Sequence, residues 1–227
     1  MNTVNGNPEV ASQSSKATTP SEQIQVKPHD LFGGAFRIER FPVFLRDISD
    51  FVPISDNQEI FSDVSESNPA YSGNQLIFEI LDRTDKINTE AVQFNFHDLA
   101  EESNAKDPII QSVAHFQTRD EVAQIMPKLS FSGCSYSLHT LKGTQRIIPN
   151  KKTNADRDFV TMLMCLLRLE SPYNTDILIT FNIPDKITDE DESSQKTEIG
   201  QSQQYIEFLT QTELNFREML QTFHASD

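Results

Sequence analysis

The carboxylates of Asp56 and Glu59, in the segment DNQE, form a pair with which acid and base work could be built. Such work needs two carboxyl groups with separated pKa values, and a spacing that recurs throughout an acidic chain does not select one pair. His97 stands beside Asp98, but neighbours on a helix point in different directions, so adjacency does not make a catalytic dyad. The five histidines, His29, His97, His115, His139 and His224, show no HxH or HExxH spacing, so no metal site is expected. No GxSxG elbow surrounds a serine, and nothing in the sequence ties Cys134 to a histidine base. A GxxxxGKS/T loop and a GxGxxG turn are both absent, which leaves no recognisable cradle for a nucleotide. The expectation is a protein without cofactor and without covalent chemistry of its own.

Charge narrows the partners. The formal net charge is -15, with 19 Lys and Arg against 34 Asp and Glu. Phosphate contacts need basic side chains, so direct nucleic-acid binding is disfavoured and a basic protein partner fits better. Cys134 and Cys165 are too far apart for a CxxC element and too few for a disulfide framework; both read as buried thiols. The opening MNTVNGNPEVASQSS has neither a basic n-region nor an apolar h-region, and no Asn-X-Ser/Thr acceptor occurs, so an intracellular, reducing compartment is expected. The most apolar stretch, Phe159 to Leu167, is far short of the roughly 18 residues of a membrane span, and no membrane insertion is expected.

The elements that would position these residues follow from apolar spacing. Residues 1–28 are rich in Asn, Ser, Thr, Gln and Pro and cannot bury enough surface to offset the entropy of ordering; they are expected to be a disordered tail. The remainder, 29–227, reads as one domain whose first dense apolar cluster is LFGGAF, with strand-like alternation from Phe36 and Ile38. QEIFSDV and QLIFEILD are short, branched and aromatic runs bounded by turn formers, which predicts two strands. Val92, Phe96 and Leu99 mark one face of a helix between Asn88 and Glu102, and a short helix is expected between Thr118 and Met126. KLSFSGCSYSLHTL alternates imperfectly, predicting a strand kinked at Gly133.

DFVTMLMCLLRL is apolar at nearly every position and reads as a central strand covered on both faces, although periodicity alone does not separate it from a buried helix. DILITFNIP follows after the turn residues Tyr173, Asn174 and Thr175, completing a hairpin. Residues 185–201, containing TDEDESS, predict an exposed acidic loop. Tyr205, Leu209, Thr212, Phe216, Leu220 and Phe223 recur at helical steps opposite Gln211 and Glu218, predicting a closing amphipathic helix. Strands followed by covering helices define the expected class: α+β, a mainly antiparallel sheet sandwiched by helices. Arg168, inside an apolar strand, is expected to pair internally or to snorkel to an edge rather than to meet a partner.

LFGGAF at 31–36 and DISDFVPISDNQEIF at 47–61, followed by IFEILD, QFNFHDL and LLRLESPYNTDILITFNIP, resemble the Ran guanine nucleotide release factor family, the MOG-type proteins. The resemblance implies a PsbP-like fold, although function does not travel with a fold. It implies binding to a Ran-type small GTPase, promotion of GTP release, support of nuclear protein import, and residence in the nucleus with the cytoplasm as a further compartment. A monomer is expected. The alternative is a non-catalytic adaptor of the same fold that binds Ran or another protein without accelerating release. Both readings make the chain a regulator or binder rather than an enzyme.

The family's acidic contact motif falls on Asp56, Asn57, Gln58 and Glu59, and Asp47 and Asp50 extend this acidic edge. Asp and Asn are also standard turn formers, and Asp47 and Asp50 can cap a helical turn. The two roles are compatible if a rigid turn holds the carboxylates outward. The long polar tail and the long acidic stretch before the last helix depart from the family pattern.

Overall fold

The computed structural model describes residues 24–63, 73–147, 159–184 and 203–226. The expectations for most of the N-terminal tail and for the acidic stretch 185–201 lie outside the described residues. The chain runs β1 (Val26–Leu31), β2 (Phe36–Pro42), β3 (Leu45–Asp47), β4 (Gln58–Asp63), β5 (Gln75–Asp82), α1 (Thr89–Glu102) and β6 (Lys106–Phe116). It continues through α2 (Arg119–Val122), β7 (Tyr136–Arg146), β8 (Phe159–Leu169), β9 (Thr175–Pro184), α3 (Gln203–Leu220) and β10 (Phe223–Ala225). Among the described residues two sheets form, one ordered β1-β2-β10 and one ordered β3-β4-β5-β9-β8-β7-β6. All of their pairings are antiparallel.

The apolar run of β8 is explained by burial on both faces. Leu163, Cys165, Leu167 and Leu169 face a core shared with Phe61, Phe78, Leu209, Phe216 and Phe223. Val160, Met162, Met164 and Leu166 face the opposite core, with Ala91, Val92 and Phe96 of α1. The alternation is the pleat itself, which sends successive side chains to opposite faces. Gly143 in β7 lets α1 approach, since a Cβ there would lie 2.7 Å from Phe96 Cε2. The sheet thus has α1 over one face and, over the other, α3 with the small sheet, matching the expected α+β class.

Three expectations change. Val26–Pro28 belong to β1 and pair with β2 from Val26↔Pro42 onward, so the ordered region begins before residue 29. The strand expected across 128–141 starts only at Tyr136; Leu129 and Cys134 are buried from turns, which imitates an alternating pattern. Phe223 is buried but lies in β10, paired with Ile38, so it continues the apolar stripe of α3 from beyond the helix end.

Among the described residues, no helix is long and apolar enough to cross a membrane. Both cysteines are free and buried, and burial pushes the Cys165 thiol far up.

Candidate functional site

The loop between β3 and β4 starts from a short ladder in which Asp47 opposes Phe61. Beyond it, Ile48 N–H donates to Ile60 C=O at 3.1 Å, and Phe51 and Val52 N–H both donate back to Ile48 C=O at 2.9 and 3.1 Å. Asp47 Oδ1 accepts Ser49 N–H at 2.8 Å. Asp47 therefore caps this single turn, as Asp side chains do where backbone N–H groups lack partners. Asp50 is exposed on the same turn.

Pro53 to Asn57 then carry the chain back to β4. Gln58 N–H donates to Ser55 C=O at 2.9 Å, closing a tight turn with Asp56 exposed at its tip. Asn57 is tied to β5 on both sides: its Nδ2 donates to Ile80 C=O at 3.0 Å and its C=O accepts Ile80 N–H at 2.8 Å. Hydrogen bonds thus tie the loop at its start, around Ile48, and at its end, around Asn57 and Gln58, with Asp47, Asp50 and Asp56 exposed.

Gln58 and Glu59 behave differently, because β4 has begun and its pleat sends them to opposite faces. Gln58 Nε2 donates to Glu79 Oε1 at 2.5 Å. Glu59 is half-buried and its Oε1 accepts Phe32 N–H at 2.5 Å. Phe32 itself has φ 50°, and Gly33 and Gly34 follow at 65° and 97°. LFGGAF is therefore a left-handed turn that favours glycine at two of these positions, and the Glu59 carboxylate anchors its first N–H. Burial pushes the Glu59 carboxyl above the usual range, the Phe32 hydrogen bond opposes this, and Asp47 adds to the rise. Burial likewise raises Glu79, opposed by the Gln58 hydrogen bond.

The six residues singled out from the sequence thus divide. Asp47, Asp50, Asp56 and Asn57 share the exposed loop, whereas Gln58 and Glu59 are drawn into the sheet and are not both held outward at the turn. Sequence reasoning missed the two apolar side chains in the middle of this loop, Phe51 and Val52, which are 78% and 49% exposed. Their signal was an apolar pair in an otherwise polar, acidic loop.

A second group gathers where β5, β7 and β8 end, around a cleft of about 230 Å³. Arg83 grips Glu170 through both terminal nitrogens, with Nη2 to Oε1 at 2.7 Å. Arg168 is buried and bonds Asp176 twice, Nε to Oδ1 at 2.9 Å and Nη2 to Oδ2 at 3.0 Å, while also donating to Thr84 and Lys86 carbonyls. Of the two outcomes expected for it, internal pairing and snorkelling to an edge, the structure shows the first. His115 and His139 stack with Nδ1 atoms 3.1 Å apart, and Ser137 Oγ lies 3.3 Å from His139 Nε2. A serine beside an imidazole invites a nucleophilic reading, but burial first, then His115 and Arg168, lower His139 to about 4, which makes it a weak base at neutral pH. The third position of a triad, where a carboxylate would orient the ring, is taken by another histidine. His97 and Asp98 are both exposed on α1, and no hydrogen bond joins them among those of the described residues. Among the described residues no cluster of three or more His, Cys, Asp or Glu is arranged for a metal ion.

A mainly antiparallel sheet carries an ordered acidic loop at one end, with Arg83 and Arg168 paired to Glu170 and Asp176 in the neighbouring cleft, an arrangement suited to binding a partner. The model of the family described as "Ran-interacting Mog1 protein" matches residues 29–184. The chain is 30% identical over 159 residues to the Ran guanine nucleotide release factor of Bos taurus, covering 70% of this chain and 76% of the relative. It is 32% identical over 155 residues to the protein of that name from Homo sapiens, covering 68% and 74%. In fold it is similar to the Saccharomyces cerevisiae Ran-binding protein Mog1p, with a TM-score of 0.57 at 21% identity over 90% of this chain and 97% of that one. The chain belongs to the Mog1 family of Ran-interacting proteins.

Proposed function

We propose that this chain binds a Ran-type small GTPase through the β3–β4 loop and promotes release of its guanine nucleotide, in support of nuclear protein import. The observation that carries the reading is the ordered loop with Asp47, Asp50 and Asp56 exposed, in a chain whose curated relatives are named Ran guanine nucleotide release factor. A loop pinned to β5 through Asn57 and Ile80 presents its charges without a further ordering cost on binding, which favours affinity.

Release requires no bond breaking. A protein that binds the nucleotide-free GTPase more tightly than the loaded form weakens nucleotide binding by the same factor. GTPase switch segments are ordered by the γ-phosphate and its magnesium ion, and carboxylates that attract the lysines engaging those phosphates favour the open state. The deciding measurement is release of labelled GTP from Ran with and without this protein, alongside direct binding. Acceleration supports a release factor; binding without acceleration selects an adaptor; no binding removes the GTPase reading. Nuclear residence belongs to the same proposal and is tested by imaging the tagged full chain.

A further inference from the structure

Phe51 is the most exposed large hydrophobic side chain among the described residues, at 78%, with Val52 beside it at 49%. A phenyl group so exposed adds almost nothing to the core, yet its backbone is fixed: Phe51 and Val52 N–H both bond Ile48 C=O, and Asp47 holds Ser49 N–H. An aromatic side chain on a fixed backbone is what binding hot spots use, because it buries a large area with few rotamers to lose.

The surroundings decide what covers it. From Asp47 to Asp63 the sequence holds five carboxylates and no Lys or Arg, the basic residue nearest along the chain being the exposed Arg46. Asp47, Asp50 and Asp56, on either side of the apolar pair in the sequence, are all exposed. An anionic lipid surface would be repelled by these exposed carboxylates, and a second copy would bring the same negative loop in a chain of net charge -15. The complementary surface is an apolar depression rimmed by lysine and arginine.

Resting on the Ran reading above, we infer that Phe51, with Val52, is the apolar anchor of the GTPase interface, seated in such a depression while the three aspartates meet its basic rim. The two parts then have separable signatures. Rim charges steer encounter and set salt dependence, while a buried anchor governs dissociation.

The experiment measures association and dissociation of the full chain with Ran across a salt series. The variants are Phe51→Ser, Phe51→Leu, Asp56→Asn and, as an exposed apolar control on α3, Leu214→Ser. Phe51→Ser is expected to weaken binding about 10- to 100-fold through faster dissociation, with an unchanged slope against salt and unchanged melting, and Phe51→Leu to recover part of the loss. Asp56→Asn is expected to slow association and flatten the slope. Leu214→Ser should bind as the parent does. Phe51→Ser binding like the parent while Asp56→Asn weakens it overturns the anchor and leaves the Ran reading standing. A parent protein that does not bind Ran removes both. Self-association by sedimentation that disappears in Phe51→Ser assigns the surface to a second copy and also overturns the inference.

Discussion

The β3–β4 loop and the cleft at the ends of β5, β7 and β8 lie at the same end of the large sheet, as the register shows: Gln58 opposes Glu79, Asp82 opposes Thr175, and Thr175 opposes Leu169, which opposes Tyr136. Both carry dense sets of ionisable side chains, and they use them in opposite ways. In the cleft each arginine has a carboxylate, Arg83 with Glu170 and Arg168 with Asp176. In the loop the aspartates stand in water with no basic residue between positions 47 and 63. Charge compensated inside the fold holds strands together; charge left uncompensated at a rigid tip is available to a partner. Variants in the cleft should therefore report on stability, and variants in the loop on binding.

The largest effect is expected at the buried pair. Asp176→Ala leaves the Arg168 guanidinium, 3% exposed, without its carboxylate, and stranding a buried charge typically costs about 3 to 5 kcal/mol. Urea unfolding should show this loss, while Ran affinity per folded molecule stays unchanged. A matching fall in affinity of the folded protein would place the cleft in the interface and break the division.

The next effect is a pH dependence with a fixed sign. His139 has a folded pKa of about 4, below the unfolded value near 6.5, so the unfolded chain takes up the proton first. Its contribution is intact above about pH 6.5 and is lost as the pH falls toward 4. Between pH 7 and pH 5 the loss is roughly 2 kcal/mol. Glu59 and Glu79, raised by burial, act in the opposite sense, since their protonated forms are favoured in the fold and ionisation removes stability as pH rises. The His139 share is therefore read as the difference between the parent and His139→Gln in unfolding curves at pH 7, 6 and 5. Parallel curves would show that His139 does not titrate as its burial dictates.

Glu59 sits between the two regions and tests both halves of the comparison. Glu59→Ala leaves Phe32 N–H without its acceptor, which costs about 1 kcal/mol, while Glu59→Gln retains an acceptor oxygen and removes the charge. Glu59→Gln is expected to match or exceed the parent in stability at pH 7, because the carboxylate it replaces is penalised by burial. If Glu59→Gln binds Ran as the parent does while Glu59→Ala does not, the residue acts by shaping the LFGGAF turn rather than by presenting charge.

What the sequence made legible follows from locality. β9 and helices α1 and α3 were readable because their apolar spacing repeats along the element, and β8 because so long an apolar run has to be buried, although its spacing fits a buried helix as well. Arg168 was readable as turned away from the partner, because a charge inside an apolar strand needs either an internal partner or an edge to reach, but which of the two was not. The stretch before Tyr136 misled because turn residues that happen to be buried mimic alternation, and Phe223 misled because a helix and the strand after it continue one apolar stripe. For the candidate site, the acidic character of the loop was visible, but the fate of each carboxylate was not. Whether Glu59 points to water or to Phe32 depends on a contact 27 residues away, and His115 and His139 meet across strands with 24 residues between them. Such contacts are set by strand register, which short motifs do not encode.

The smallest effect on folding, and the one that most sharpens the comparison, is expected for Asp56→Asn. Asp56 is exposed at the tip of the turn closed by Gln58 N–H and Ser55 C=O, and asparagine suits such a turn as well as aspartate does. Its stability change should stay under about 0.5 kcal/mol, within the scatter of a melting curve. A charge at the rim of an interface is another matter, since its removal slows encounter with a basic partner and flattens the salt dependence of binding. The contrast between an unmoved melt and a weakened GTP release would assign Asp56 to the partner and not to the fold. Asp189→Asn, in the acidic stretch outside the described residues, is the control for diffuse charge. Equal weakening by both would reduce Asp56 to one part of a general negative field, and a release rate unchanged by Asp56→Asn would take the turn out of the mechanism.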